Sequence, residues 1–475
     1  MSAESLEGAI RRAGSPVELL RNASFSPFSF PIAPEFSNWR TEQRAWRESC
    51  ALFDQSHHMV EVFVEGPGAL QLFSDLGVNT FANFRPGIAK QFVSVGHDGN
   101  MIGDGILFYL GPERLELVGA QPALVDWVHY NWEIGAYDAR LERHENSAER
   151  IGPPVFYRYE LQGPTAPEIM EAVCGSSLPD LRFFHIADIT IDGHAARALR
   201  HGIAGERGFE IFGPWEDGET ILNVLLEAGA PFGIVRAGAK AYSTANLESG
   251  WIPRPVPAIF TTSKMLPFRE WCSADRSGSL GGSLYSPEIS DYYVTPFDLG
   301  YGRLVNFDHE FIGREALAET STTERRGKVT LVWDPGDVTN AMGSILGDGE
   351  PAKYLDLPKA RYALYQSDAV LAGGRLIGIS MDCGYIHNDR AMVSLATIDL
   401  AYSEVGTEVT VLWGENPNSM KPQVEAHRQV EIRATVAPAP YGTFARERYR
   451  AAVPNEAGEE PPGASAVPTG RSAAH

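Results

Sequence analysis

Two stretches of the sequence share one order of elements: a short strand, a Gly-Pro break and a helix. Residues 59–76 begin with the valine-rich MVEVFVE, which alternates in part as a strand does, and a helix-like segment follows the Gly-Pro-Gly break. Residues 156–173 repeat this order around Gln-Gly-Pro. The two copies start roughly a hundred residues apart, which is far longer than the repeat of a solenoid. The pattern therefore predicts two related halves of mixed α and β structure.

Other elements extend this organisation along the chain. Helices are predicted over residues 37–50, 218–228 and 238–249, and strands near residues 195–199 and 208–212. After a polar stretch the C-terminal part becomes rich in strands, which predicts a small β domain. These strands are expected at residues 328–333, 391–395, 408–412 and 429–436.

The charge balance narrows the class of partner. The 475 residues include 40 basic and 61 acidic side chains, which gives a formal net charge of −21. Such a surface repels phosphate backbones and anionic lipids, so neither nucleic acid nor a membrane is an expected partner. No run reaches the roughly 18 apolar residues of a membrane helix, and the N-terminus lacks a signal-peptide core. The four cysteines form no CxxC pair, so we expect a cytoplasmic protein without a metal site.

Several segments could carry chemistry, but each also has a structural interpretation. The histidine pair at residues 57–58 lacks further metal ligands and, in isolation, is better explained by a structural role. The GxxGxxG spacing of residues 202–208 matches no nucleotide-binding fingerprint and favours a β-turn. Glu210, just after it, would need a partner if it faces inward. Tyr242 would by default be a core tyrosine, and Trp251 opens a loop (WIPRPVP) whose prolines exclude a helix.

Taken in chain order, a set of segments resembles the aminomethyltransferase family, which includes the T-protein of the glycine cleavage system. The family patterns are LFDxSHM, LQGP, GYTGExGFEI, LEAG, and a TP segment followed by DFIGREAL. The resemblance extends from about residue 36 to 436, and the shared order of the motifs makes it specific. The matching segments are residues 53–59, 161–164, 202–211, 247–250, 295–297 and 308–317.

The resemblance implies an α+β fold of three domains, a cloverleaf around a central channel for folate, with tetrahydrofolate as cofactor. Residues 1–320 would form two interleaved α+β domains of the folate-binding region. Residues 321–451 would form a C-terminal β-barrel-like domain, and residues 452–475 a disordered tail. By the same resemblance, Glu210 would bind the pterin and Gln162 would lie near the same site.

Departures from the family pattern indicate a different donor of the one-carbon group. Where the T-protein helix has two arginines, this chain has Tyr242 and Asn246, which argues against a protein-bound aminomethyl substrate. The family's catalytic aspartate corresponds to Asp104, for which we expect an electrostatic role. Trp251 would offer a stacking surface for a flat ring. The tyrosine and the LESGWIP segment resemble the tetrahydrofolate-dependent aryl O-demethylases, which act on lignin-derived methoxybenzoates such as vanillate and syringate.

Cleavage of an aryl methyl ether needs an acid, because a phenolate is a poor leaving group. A tyrosine, with an unperturbed pKa of about 10, is protonated at neutral pH and is similar in acidity to the departing phenol. We therefore predict that Tyr242, in contact with folate, is the catalytic acid when the methyl group moves to N5 of tetrahydrofolate. Gln55 and His58 are predicted to line the border between folate and the methoxyaryl pocket.

The aryl substrate stays open at this point among syringate, vanillate and guaiacol-like phenols. Phe30 would form an apolar wall where a vanillate-type enzyme is expected to have a tyrosine. Ala120 stands near the place where such an enzyme is expected to have an arginine for the carboxylate, and His57 could replace that anchor. Two alternatives remain: a related demethylase acting on a methylated sulfonium or amine, and a folate-binding protein without turnover.

Overall fold

The structure is a computed structural model that describes residues 4–24, 30–119, 121–175, 181–321, 326–417 and 421–447. Ala120 and the predicted tail at residues 452–475 lie outside these described residues. Within the ranges given, no helix combines the length and the apolar character that crossing a membrane requires. The same part of the chain contains no group of three or more His, Cys, Asp or Glu side chains placed to hold a metal ion.

Helices and strands alternate through the N-terminal two thirds of the chain, and strands dominate the rest. The α-helices of the described chain are α1 (Leu6–Ala13), α2 (Pro16–Asn22), α3 (Trp39–Glu48), α4 (Ala69–Leu76), α5 (Pro122–Ile134), α6 (Ala166–Cys174), α7 (Gly218–Gly229), α8 (Ala239–Tyr242), α9 (Ala245–Ser249), α10 (Leu266–Trp271), α11 (Arg314–Thr320), α12 (Pro335–Gly343) and α13 (Thr443–Glu447). The first ten strands are β1 (Cys50–Asp54), β2 (Val60–Glu65), β3 (Ala89–Val95), β4 (Met101–Gly111), β5 (Arg114–Gly119), β6 (Arg140–His144), β7 (Phe156–Gln162), β8 (Ile186–Ile191), β9 (His194–Arg200) and β10 (Gly208–Pro214). The others are β11 (Ile234–Ala237), β12 (Leu280–Gly281), β13 (Arg326–Trp333), β14 (Tyr365–Gln366), β15 (Asp368–Ala372), β16 (Arg375–Ile386), β17 (Ala391–Asp399), β18 (Glu408–Trp413) and β19 (Val430–Ala437).

Two sheets organise the N-terminal part. Sheet I has the order β11-β1-β7-β10-β9-β8, in which β1 and β11 run parallel and the other neighbours are antiparallel. Sheet II has the order β3-β4-β5-β2-β6 and is antiparallel throughout. The chain begins sheet I with β1, builds the whole of sheet II, and returns to sheet I at β7. The two sheets are therefore interleaved in sequence.

The two Gly-Pro breaks have the same backbone conformation, one in each sheet. Gly66 follows β2 with a φ of +133°, and Gly163 follows β7 with a φ of +138°. A Cβ atom on Gly66 would come within 2.6 Å of the Asp138 carbonyl oxygen, so glycine is required both by conformation and by space. Helices α4 and α6 begin three residues after these glycines. Both predicted strand-break-helix units are confirmed.

Strand β7 has one apolar and one polar face, and this decides where a site can form. Tyr157 and Tyr159 point outward into an apolar core shared with α6 and α7. The alternate residues Arg158, Glu160 and Gln162 point to the inner face, and all three are buried. The inner face of sheet I is therefore a buried polar surface, and we expect such groups to be paired or to await a polar ligand.

A closed barrel of order β13-β17-β16-β15-β18-β19 forms the C-terminal part. Its interior is apolar and includes the buried rings of Trp333 and Trp413, whose centroids lie 5.6 Å apart. The barrel strands run from Arg326 to Ala437, close to the predicted β domain of residues 321–451.

The helix predicted over residues 238–249 is interrupted in the structure. It forms two short helices, α8 and α9, separated by a turn at Ser243 and Thr244. The Ser243 hydroxyl donates to the Lys240 carbonyl at 2.7 Å, and the Thr244 hydroxyl donates to the Ala241 carbonyl at 2.8 Å. Such side-chain bonds compete with regular helix bonding, which explains why the periodic pattern missed the break. The break ends α8 at Tyr242.

Candidate active site

Tyr242 and His58 meet beyond the end of β1. Gln55 directly follows that strand, and His58 lies in the turn that leads to β2. The Tyr242 hydroxyl is 3.0 Å from His58 Nε2 and 3.5 Å from Gln55 Nε2. The Tyr242 ring also packs against Phe53 of β1, with centroids 5.4 Å apart. The structure therefore brings together three of the residues that the sequence predicts for the site.

Burial and nearby charges determine the protonation states of the Tyr242 hydroxyl and the His58 imidazole. Burial raises the pKa of Tyr242 well above its usual value, so its hydroxyl keeps its proton at neutral pH. Burial, together with the charges of Arg254 and Arg361, lowers the pKa of His58 to about 3. The neutral imidazole can accept the Tyr242 hydroxyl hydrogen when its own proton is on Nδ1. The pair is therefore uncharged at neutral pH, and the Tyr242 hydroxyl is a weaker acid than the unperturbed tyrosine of the sequence prediction.

The other predicted substrate residues differ in whether they join this group. Phe30 contacts His58 edge to face, with ring centroids 5.6 Å apart, and its role as an apolar wall stays a prediction. His57 lies in the same turn as His58 but has other partners. Its Nδ1 is 2.9 Å from the Ser147 hydroxyl, and its ring packs against Trp215. Ala120 lies outside the described residues, so its predicted place in the pocket stays a prediction.

Glu160 is a site residue that the sequence analysis missed. It lies on the inner face of β7 and is fully buried. One oxygen accepts the Ile203 backbone N–H at 2.7 Å, and the other lies 2.5 Å from Gln55 Nε2. Burial, with a contribution from the nearby Glu210, raises the pKa of Glu160 to about 8. Its signal in the sequence was a glutamate two residues before the LQGP glutamine, on a strand with a buried polar face.

The raised pKa of Glu160 makes the stability of the protein depend on pH. The folded state binds the proton more tightly than the unfolded state, whose glutamate has a pKa of about 4.3. This contribution is fully present below that value and is lost as the pH rises through about 8. Because glutamine preserves the shape and cannot ionise, Glu160→Gln should lose less stability than the wild type between pH 5 and 9. Urea unfolding across this range checks the expectation, and the exposed Glu168→Gln should follow the wild-type curve.

Glu210 and Gln162, both predicted to bind folate, already have protein partners. The Glu210 carboxylate accepts from Arg158 at 2.9 Å inside sheet I. The Gln162 amide donates to the Glu206 carbonyl at 2.9 Å and accepts the Ala204 N–H at 3.0 Å. Gln162 therefore supports the turn between β9 and β10, which confirms the predicted turn. The folate contacts of both residues stay predictions.

Asp104 and Trp251, which the sequence also predicts for the site, are hydrogen-bonded to each other. The Trp251 indole N–H donates to Asp104 Oδ2 at 2.8 Å, and the Tyr301 hydroxyl donates to the same oxygen at 3.0 Å. Gln91 also donates to it. Burial nevertheless raises the pKa of Asp104 to about 6, and Oδ1 is buried without a hydrogen bond in the described structure. Asp104 thus orients the Trp251 ring and keeps one oxygen available.

Asn246, which replaces a T-protein arginine, connects α9 to the barrel. Its side-chain N–H donates to Asp382 Oδ2 at 2.6 Å, and its oxygen accepts from Lys359 Nζ at 2.7 Å. Lys359 also pairs with Asp382 at 2.7 Å. Burial lowers the pKa of Lys359 to about 8. The second arginine position therefore has a structural role here.

A cavity of about 800 Å³ lies at the β8–β9 edge of sheet I. Its lining includes Leu110, Phe156, Cys174 and Arg197, and it contains none of the residues predicted for the site. The candidate site is therefore defined by the side chains converging at Tyr242 and not by this cavity.

Comparison with known proteins identifies the family of this chain. Residues 20–253 match the model of the GCVT N-terminal domain. Syringate O-demethylase of Sphingobium sp. is 44% identical over 453 residues, covering 94% of this chain and 98% of that protein. The chain belongs to the GCVT aminomethyltransferase family. The predicted resemblance, including that to the aryl O-demethylases, is confirmed.

Two further relatives and one solved structure extend the comparison. Sesamin methylene transferase of Sinomonas sp. is 31% identical, covering 80% of this chain and 82% of that protein. The aminomethyltransferase of Streptomyces avermitilis is 28% identical over 78% of this chain and 92% of its own. The glycine cleavage system aminomethyltransferase T from Bartonella henselae superposes with a TM-score of 0.60 at 20% identity, covering 89% of this chain and 95% of that one. The predicted α+β aminomethyltransferase fold with its C-terminal barrel is confirmed, and so is the prediction of a methyltransferase enzyme.

Proposed function

We propose that this enzyme is a tetrahydrofolate-dependent O-demethylase of a syringate-like methoxybenzoate. The observation that carries the proposal is the protonated Tyr242 hydroxyl, held between His58 and Gln55. A tyrosine can give its proton to a departing phenolate, whereas the arginine of the T-protein pattern cannot practically do so. The 44% identity to a syringate O-demethylase supports the same assignment.

The described residues fit a folate. The pterin ring carries N–H and amino donors, and the site offers the oxygens of a carboxyl group and of an amide as acceptors in a buried setting. Glu160 is one acceptor, and the Gln55 carbonyl oxygen, which is buried without a hydrogen-bond partner in the described structure, is another. Trp251, oriented by Asp104, would add a stacking surface. When bound, tetrahydrofolate would supply N5 as the methyl acceptor.

The residues of the site account for the chemistry of the donor side. Phe30 and Phe53 provide apolar surface for the methoxyaryl ring and keep water away from the ether oxygen. The methyl carbon–oxygen bond breaks with its electron pair remaining on oxygen, and that oxygen takes the Tyr242 proton. Tetrahydrofolate would accept the methyl carbon at N5, and the proton that leaves N5 would balance the one that Tyr242 gives. Positioning and general-acid catalysis are thus the two contributions of the protein.

A panel of methyl ethers tests the proposal. With tetrahydrofolate present, syringate carrying a ¹³C-labelled methoxy group should give the demethylated phenol and ¹³C-labelled 5-methyl-tetrahydrofolate in equal amounts. Vanillate and guaiacol, tested in parallel, distinguish a requirement for the second methoxy group from a requirement for the carboxylate. Mass spectrometry of both products is the measurement.

The controls for this panel separate the competing functions. Reactions without tetrahydrofolate, or with 4-hydroxybenzoate as the arene, should give no methylated folate. If no arene of the panel gives a phenol or methylated folate while the protein still binds tetrahydrofolate, a folate-binding protein without turnover is the better description. If only a sulfonium or amine donor is demethylated, the aryl ether assignment is wrong.

A further inference from the structure

Arg254 is a partly buried cation whose side chain has no hydrogen-bond or ion-pair partner in the described structure. It lies three residues after Trp251 in the proline-rich loop that leaves α9. Its Nε is buried, and neither a hydrogen bond nor an ion pair involves its guanidinium among the described residues. An unpaired guanidinium in such a setting is costly, because a buried charge normally needs an opposite charge or several acceptors. A site that retains it is therefore suited to an anion.

The surroundings place this guanidinium at the candidate active site. Its charge acts on both His58 and Tyr242: it adds to the burial that lowers the pKa of His58, and it opposes the burial that raises the pKa of Tyr242. The loop is fixed on the other side, because the Gln121 amide donates to the Pro253 carbonyl. Gln121 follows Ala120 in the sequence, near which a vanillate-type enzyme is expected to have an arginine.

No nearby carboxylate of the described structure neutralises Arg254. Asp382 is close enough to favour its charge, but that carboxylate already accepts from Lys359 and Asn246. A second cation, Arg361, is exposed and adds positive potential. Burial, together with Arg361, lowers the pKa of Arg254 to about 9, so it is still charged at neutral pH. Arg254 is therefore charged at neutral pH, and no carboxylate of the described structure pairs with it.

We propose that Arg254 binds the carboxylate of the aromatic substrate and sets the preference for methoxybenzoates over neutral methoxyphenols. This inference rests on the proposed function for the identity of its ligand. A folate glutamate carries the same chemical group, but Arg254 shares its surroundings with the Tyr242 hydroxyl and His58, where the aryl ether must lie.

Binding measurements without turnover test the inference. Calorimetry should show that Arg254→Gln weakens the binding of syringate by about 10- to 100-fold, the range expected for losing a charged hydrogen bond. Binding of 2,6-dimethoxyphenol, which has the same ring substituents without the carboxylate, should not change. Arg254→Lys should restore part of the affinity because it keeps the charge but loses the planar fork. Arg85→Gln, which removes an exposed arginine, is the matched control.

The folate arm of the experiment decides between the two carboxylates. Tetrahydropteroate lacks the glutamate of tetrahydrofolate. If Arg254→Gln weakens the binding of tetrahydrofolate but not of tetrahydropteroate, Arg254 binds the folate glutamate and the inference is overturned. Equal syringate affinity in the wild type and in Arg254→Gln, or no syringate binding by the wild type, also overturns it. Binding without any product formation would instead contradict the proposed function and leave the anchor in place.

Discussion

Replacing Tyr242 with phenylalanine should lower kcat for the methoxyaromatic substrate by about 100- to 10,000-fold, the usual contribution of a positioned general acid. KM should change much less, because the ring and its contact with Phe53 remain. The hydroxyl is the only group removed, and its neighbours at 3.0 and 3.5 Å, His58 and Gln55, stay in place. Steady-state rates with labelled substrate at saturating tetrahydrofolate provide the measurement.

The loss in Tyr242→Phe should depend on the leaving group. Nitro groups on the ring make a phenol more acidic. When the methyl ether of such a phenol is cleaved, the phenolate leaves as a stable anion and needs little protonation in the transition state. The variant should therefore recover much of the wild-type rate on such ethers, provided they bind. A deficit that stays constant across phenols of different acidity would indicate that Tyr242 only positions the substrate.

Tyr159→Phe is the matched control for Tyr242→Phe. Its hydroxyl donates to the Gly218 carbonyl at 3.0 Å on the outer face of sheet I, away from the candidate site. This variant should keep kcat close to that of the wild type. If Tyr242→Phe retained full activity on an ordinary methoxybenzoate, the acid would have to be another group.

Much of the fold could be predicted because local signals agree with the final packing. The strand-break-helix units depend on glycines with positive φ, and such positions are visible in the sequence as Gly-Pro. The interruption after Tyr242 was missed, because hydroxyl side chains within a helical pattern give no clear sign of whether they bond to the backbone. The interleaving of the two sheets depends on pairings between strands distant in sequence. Its prediction therefore came from the family resemblance and not from local patterns.

The candidate site was harder to predict, because burial and pairing are decided by tertiary contacts. The motif comparison led to Tyr242, His58 and Gln55, which do converge. The motifs gave no sign that Arg158 neutralises Glu210. They also gave no sign that Glu160, which belongs to none of the family motifs, contacts Gln55. Each of these relations joins residues on different strands or turns, and a sequence pattern does not specify the partner of a buried charge.

Replacing Arg158 with methionine should lower the free energy of unfolding by about 3–5 kcal/mol at pH 8, the range expected when one partner of a buried ion pair is removed. The Arg158 side chain is 1% exposed and pairs with Glu61 at 2.7 Å, with Glu210 at 2.9 Å and with Glu116. Glu61 and Glu116 belong to sheet II, whereas Glu210 belongs to sheet I. One guanidinium thus joins the two sheets, and its removal leaves three carboxylates without their cation.

The loss should depend on pH in a defined direction. Burial already raises the pKa values of Glu116 and Glu210 in the folded state, and without Arg158 these two carboxyl groups take up protons more readily, so their pKa values rise further above the unfolded value. Burial already raises the pKa of Glu116 to about 7 in the wild type. A raised folded pKa contributes stability that is lost as the pH increases, so the variant should be closer to the wild type at pH 5.5 than at pH 8. Urea unfolding followed by circular dichroism at both pH values measures this difference.

Arg433→Met and Arg158→Lys show whether the effect comes from buried pairing. Arg433 pairs with Asp334 and Asp337 on an exposed surface, where ion pairs contribute little, so its loss should be nearly silent. Lysine at position 158 keeps the charge but cannot donate in three directions from a planar group, and should give an intermediate loss. Equal losses in Arg433→Met and Arg158→Met would contradict this account.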